Sequence, residues 1–176
     1  MAVVRLQLAP NTTNAVGLDS ESDFYTQIER AGLQGVPVNA VAIAELLGLV
    51  VRHEVMQDDL SGYLERRGNS WVVGVNSYHH PNRQRFSVAH EIAHYVLHRG
   101  QQSKFVDSTF ARRTGASSDP MEKEADRFAA KLLMPEKNIN RLFDSGMTSI
   151  QDLASHFGVS SLAMQYRVQE LGYSVA

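Results

Sequence analysis

Apolar positions recur at two spacings along this chain, and the alternation between them divides it into helices and short strands. Intervals of three and four mark a helix around Phe24–Ala31 and another from Asn39 through Leu47, where Val41, Ala44 and Leu47 share a face and Gly48 closes the run. LVVRHEV (49–55) has the β-branched content of a strand. SGYLERR (61–67) and SWVVGVN (70–76), separated by Gly68-Asn69, read as a β-hairpin. HHPN (79–82) then breaks the chain ahead of a helix that begins near Arg85 and runs without a breaker to His98, with Phe86, Ala89, Ala93 and Leu97 as its apolar face. Residues 99–118 are mostly polar, with KFVDSTF (104–110) as one further candidate strand.

The sharpest start signal lies at Asp119-Pro120, an N-cap followed by a proline in the first turn and Glu122 three residues after the cap. That helix ends at Pro135, and a shorter one follows over Glu136–Asp144. The tail holds two short helices. Thr148 caps the first, with Gln151 three residues on, and Gly158 breaks it; Ser160 caps the second, which runs to Leu171. Residues 1–20 lack periodicity and read as a loosely held arm. The pattern predicts an α+β domain: a small, mostly antiparallel sheet beside two long helices, a main domain over 21–147, and a helical piece over 148–176.

Composition narrows the chemistry. The chain has 176 residues, 43% hydrophobic and 20% charged, enough for one domain with a buried core. Seventeen basic residues against 19 acidic give a net charge of −2, so no global field draws it toward nucleic acid. The absence of cysteine excludes disulfides, thiolate metal sites and cysteine nucleophiles. The start lacks the basic cap and apolar run of a secretion signal, and no apolar stretch reaches the ~18 residues a membrane span needs, so the expected location is the cytoplasm.

Within RFSVAHEIAHYVLHRG (85–100), His90-Glu91-Ile92-Ala93-His94 is an H-E-x-x-H pattern. Residues four apart on a helix stand one turn above each other, so both imidazoles can face one ion, and Glu91 falls at the edge of that face, beside a metal-bound water. His98 continues the series but lies about 12 Å along the axis from His90, beyond what bonds of about 2 Å can bridge, and reads as a neighbour. A third ligand must come from elsewhere. In PMEKEADRFAAKLLMP (120–135), Ala125, Phe128, Ala129, Leu132 and Leu133 form the apolar stripe; Glu122 lies within it and Asp126 at its margin. A carboxylate turned toward a core needs a partner, which makes Glu122 the candidate third ligand, with helix capping as its competing role. Asp126, one turn on, is placed to hold the free N–H of a ligand histidine. Glu124 falls on the opposite side, with Lys123, Arg127 and Lys131, and reads as solvated surface.

RFSVAHEIAHYVLH followed by EKEADRFAAKLLMP resembles the ImmA/IrrE family of zinc-dependent metallopeptidases, and VNAVAIAELLGLVV and LSGYLERRGNSWVVGVN resemble that family's lead-in. The likeness covers roughly residues 36–172. It implies zinc on His90, His94 and Glu122, Glu91 as general base, a gluzincin-like core, and a helix-turn-helix repressor as protein substrate. Ala93 stands where the family often has glycine, a small-for-small change. Two histidines and a carboxylate suit Zn2+ while leaving manganese or iron open.

Candidates by position for an oxyanion donor are Tyr78, His79, His80 and Tyr95, each read first as structural or solvent-facing. SIQDLASHFGVSSLAMQYRVQELG (149–172) has the spacing of a helix-turn-helix. Its second helix carries Arg167 as its only base, next to Glu170, so a hairpin packed on the catalytic core or facing the substrate protein is favoured over DNA binding. The rival function is a DNA- or partner-binding regulator with a structural metal and no significant catalysis. Arg112 and Arg113 are candidate docking residues in either case.

Overall fold

The computed structural model describes residue 18 and residues 20–108 and 119–174. Most of the arm at 1–20, the end of the candidate strand beyond Ser108, and Arg112 and Arg113 lie outside the described residues. The chain order is α1 (Glu21–Arg30), α2 (Ala40–Leu46), β1 (Val50–Glu54), β2 (Leu60–Arg67), β3 (Ser70–Asn76), α3 (Pro81–Ala93), a π-helical turn (His94–His98), β4 (Lys104–Ser108), α4 (Pro120–Leu133), α5 (Glu136–Asp144), α6 (Ile150–Phe157) and α7 (Ser161–Glu170).

Side-chain oxygens cap three of these helices as the sequence predicts. Asn39 accepts from the Ala42 N–H at the start of α2, Asp119 from Met121 at α4, and Ser160 from Ala163 at α7. Two starts differ. At α6 the cap is Ser149, not Thr148, and its hydroxyl accepts from the Asp152 N–H. Helix α3 begins at Pro81, four residues before Arg85, because proline at the first helical position loses only an N–H that would be orphaned anyway. His80 serves as its cap, with Nδ1 accepting from the Asn82 N–H at 3.2 Å.

The sheet has the order β1-β3-β2-β4, with β1 parallel to β3 and both other pairings antiparallel. The hairpin β2–β3 is therefore its centre. A bulge at Leu60/Gly62 lets β2 bend where it passes α3. Gly62 is required there: a Cβ would stand 2.7 Å from the Gly74 carbonyl oxygen and 3.4 Å from Glu91 Oε1.

Helix α3 is wrapped by the rest of the molecule. Every residue from Ser87 to Ala93 is buried, so the expected one-sided apolar face is replaced by burial all round, with Val88, Ala89, Ile92 and Ala93 in the core and Phe86 and Leu97 only partly covered. The reason is position: the sheet, α2 and α4 all pack on this one helix. Helix α4 behaves as predicted and buries Ala125, Phe128, Ala129, Leu132 and Leu133 while its opposite side faces water.

The tail hairpin α6–α7 shares this core through Leu153, Phe157, Met164 and Val168. Gly158, left-handed at φ 63°, turns the chain and exposes its carbonyl to Arg85 Nη1 at 2.8 Å; a Cβ would collide with that guanidinium. Asn82 Nδ2 donates to the Val159 carbonyl, tying the hairpin to the first turn of α3. Among the described residues no helix is long and apolar enough to cross a membrane.

Candidate metal centre

The pairing of α3 with α4 brings His90, His94 and Glu122 together. His90 Nε2 lies 3.1 Å from His94 Nε2 and 3.2 Å from Glu122 Oε2, and His94 Nε2 lies 3.2 Å from Glu122 Oε1. The two imidazoles are buried, and the glutamate is half-buried at the mouth of the site. Its oxygens are committed to the histidines rather than to the start of its own helix, where Asp119 provides the side-chain cap.

Hydrogen bonds on the far side of each ring set the tautomers. His90 Nδ1 faces Asp126 Oδ1 at 2.9 Å, so Nδ1–H donates to the carboxylate and Nε2 keeps its lone pair. His94 Nδ1 faces His98 Nδ1 at 3.1 Å, and His98 Nε2 faces Glu124 Oε2 at 3.1 Å. Here the structure differs from the sequence reading on two counts. His98 is buried against His94 instead of being an incidental neighbour, and Glu124, although largely exposed, reaches across to it. Helical-wheel reasoning assigns Glu124 to the solvent side but does not see that a four-bond side chain at the helix margin can fold back.

The donor set fits a tetrahedral cation. His90 Nε2 and His94 Nε2 stand 3.1 Å apart beside the Glu122 carboxylate, a nitrogen and oxygen donor set of the kind that binds a divalent cation. Bonds of about 2.0–2.1 Å in a tetrahedron separate the ligand atoms by about 3.3 Å, close to the three spacings observed. The protonation states agree. Burial pushes His94 below its ordinary value of 6.5, against the opposing pull of the Glu122 carboxylate, so it is neutral at pH 7. Burial also opposes ionisation of Glu122, but its close contacts with the His90 and His94 rings outweigh it and hold the carboxyl far below its ordinary 4.5. Neutral imidazoles and an ionised carboxylate are the ligand forms that a divalent ion requires.

Glu91 is fully buried on the sheet side of α3, next to Gly62 and Ser87. A donor atom each of Glu91, His90 and Asp107 lie within 4.8 Å of one another. Asp107, on β4 and only 2% exposed, was not singled out by its sequence. The signal available was alternation in KFVDS, which puts Phe105 and Asp107 on one face of the strand; both are buried, and Phe105 stacks on the His94 ring at 4.5 Å.

The four oxyanion candidates separate in the structure. Tyr78 is largely exposed, His80 caps α3, and Tyr95 packs edge-on against Trp71. His79 is buried. Burial first, and then the neighbouring Arg83 guanidinium, depress its pKa.

The chain as a whole is similar to known proteins. Metallopeptidase ImmA of Bacillus subtilis (strain 168) is 29% identical over 126 residues, which is 67% of this chain and 70% of that protein. A solved structure, the Mycobacterium tuberculosis transcriptional regulator, superposes with a TM-score of 0.53 over 85% of this chain at 17% identity, a likeness of fold. The chain spans only 47% of that protein's length. The family described as Peptidase M78, IrrE N-terminal-like domain, matches residues 44–169, which include the sheet, both helices of the metal centre and most of the tail hairpin. On that match the chain belongs to the IrrE N-terminal-like metallopeptidase family.

Proposed function

We propose that this protein is a zinc-dependent endopeptidase with His90, His94 and Glu122 as metal ligands and Glu91 as general base. One observation carries the reading: two imidazole lone pairs and a carboxylate converge within 3.2 Å of one another, with a second carboxylate, Glu91, buried beside the first ligand. Held by His90, His94 and Glu122, zinc would supply Lewis acidity to an attacking water and to the scissile carbonyl. Glu91 accepts the proton of that water at a carboxylate oxygen and passes it to the leaving amine. Asp126 holds the His90 ring by its Nδ1–H. The wall of α2, α4 and sheet around α3 keeps the carboxylate of Glu91 out of bulk water, which strengthens its interaction with nearby charge.

The substrate in this reading is a partner protein of the helix-turn-helix repressor class, met in the cytoplasm, so that cleavage alters gene expression. Support comes from the family membership and from a fold neighbour described as a transcriptional regulator. Residues 21–147 form the metallopeptidase part, gluzincin-like in its helix pair. Residues 148–176 form a helix-turn-helix-like hairpin whose role is to buttress α3 or to face the substrate. A DNA-reading role for that hairpin is disfavoured by one observation: Arg167, the sole base of α7, is buried, with Nε donating to the Met134 carbonyl and Nη1 paired with Glu170. Helix α7 therefore presents no cation to a phosphate backbone.

Co-expression with candidate repressors tests the proposal. Wild type should deplete the repressor, and Glu91→Gln should bind zinc equally and leave the repressor intact. Cleavage by Glu91→Gln at the wild-type rate would remove Glu91 from the mechanism.

A further inference from the structure

The two ligand histidines are supported in different ways. His90 donates directly to a carboxylate, Asp126, whereas His94 meets a third imidazole, His98, which in turn meets Glu124. An ionised carboxylate only accepts, so the 3.1 Å contact between His98 Nε2 and Glu124 Oε2 places a proton on His98 Nε2. In the neutral ring the other nitrogen, Nδ1, is then an acceptor. The 3.1 Å contact between the two Nδ1 atoms therefore has His94 Nδ1–H as its donor, and the His94 lone pair is left on Nε2, facing His90 Nε2 and Glu122.

Building on the metal centre proposed above, we propose that His98 and Glu124 are positioning residues that set the tautomer and ring orientation of His94. Three observations support it besides the distances. His98 is 2% exposed, so its ring cannot exchange this contact for water. A π-helical turn over His94–His98 replaces the α-helix where the two rings meet, a local departure common at functional sites. Phe105 stacks on the His94 ring at an interplanar angle of 19° and borders His98, which limits rotation without offering an acceptor. The polar fixing of His94 thus falls to His98. Glu124, with its side chain 62% exposed, contributes less than His98, because water can replace it.

Four variants and one spectrum decide the matter. His98→Asn keeps an acceptor oxygen near the Nδ1 position, whereas His98→Leu fills similar space with none. Zinc affinity, measured by competition with a chromogenic chelator, should fall about 10–100-fold in His98→Leu, the range for loss of an outer-shell partner, and by a smaller factor in His98→Asn. Glu124→Gln, on the surface, should fall less than His98→Leu. A packing role alone reverses the order, with leucine tolerated better than asparagine, and would overturn the proposal.

Nitrogen-15 imidazole correlations of wild type provide a readout independent of any variant's folding: His98 should be protonated at Nε2 and bare at Nδ1. The opposite tautomer would also overturn the proposal. His94→Ala separates this idea from the metal centre itself. If wild type and His94→Ala take up zinc equally, the ligand assignment fails; if only wild type binds zinc but asparagine and leucine at 98 are equivalent, the relay alone fails.

Discussion

The pair α3–α4 buries three imidazoles and surrounds them with carboxylates, whereas the pair α6–α7 buries a guanidinium and leaves Leu162 and Tyr166 largely exposed. Both pairs contain polar residues at inward positions. In the first pair His90, His94 and Glu122 point at one another, an arrangement that could hold a metal ion. In the second, Arg167 Nε donates to the Met134 carbonyl and Nη1 pairs with Glu170, which ties the guanidinium into the fold. Burial of polar groups is therefore not itself the mark of a site. The mark is the convergence of two imidazole nitrogens and a carboxylate within 3.2 Å of one another.

The largest expected effect tests the first pair. Glu91→Gln should lower kcat/KM about 10²–10⁴-fold, the usual contribution of a general base, while zinc content measured by elemental analysis stays at the wild-type level. A parallel loss of zinc would mean that Glu91 belongs with the ligands. Next in size, Phe157→Ala in the second pair removes a fully buried ring and should cost about 3–5 kcal/mol in denaturant unfolding, with zinc stoichiometry retained in the folded fraction. Such a result would separate the hairpin's scaffolding role from the chemistry. Arg167→Ala should cost about 1–3 kcal/mol by orphaning a buried carbonyl, and binding to duplex DNA at low salt should not change relative to wild type. A drop in DNA affinity would break the contrast between the pairs.

Acid titration of the metal-free protein gives a smaller, graded effect. His94 titrates below its ordinary 6.5 in the folded state, so between those values the unfolded chain binds more protons. Stability contributed by His94 is present above 6.5 and falls as pH drops below it toward the folded value. Glu122, also depressed, adds its share above 4.5 and loses it as pH falls further. Chemical denaturation across pH 7.5 to 3.5 should therefore show a decline in two stages, the first from His94 and the second from Glu122. Least affected of all, Tyr166→Ser on the exposed side of α7 should alter unfolding free energy by no more than about 0.5 kcal/mol, which the same titration measures.

How much of this was legible in advance differs between the two helix pairs and within the first of them. The apolar stripe of α4 put Glu122 and Asp126 toward α3, and both meet the histidine cluster there, because a helix wheel is a local property of spacing. Glu124 and His98 were read as surface and as neighbour. Their contact depends on how closely α3 and α4 approach and on the π-helical turn at His94, neither of which spacing specifies. Asp107 lay on a candidate strand, but its closeness to Glu91 required the order of the sheet, which seats β4 beside β2 rather than beside β3. The early start of α3 at Pro81 was misplaced because the histidine–proline break reads as a loop, although proline is well suited to a first helical position.

Sequence alone determined the chemistry-bearing types and their faces: two histidines one turn apart, an adjacent glutamate, and a carboxylate held inside an apolar stripe. Those follow from the helical period, which acts over a single turn. Only the tertiary structure decided which lone pairs converge, that Arg167 is consumed in the core, and that a third imidazole stands behind His94. Each of these rests on distances of about 3 Å between residues on separate elements or at an irregular turn, and hydrogen bonds weaken too steeply with distance for residue order to foretell them.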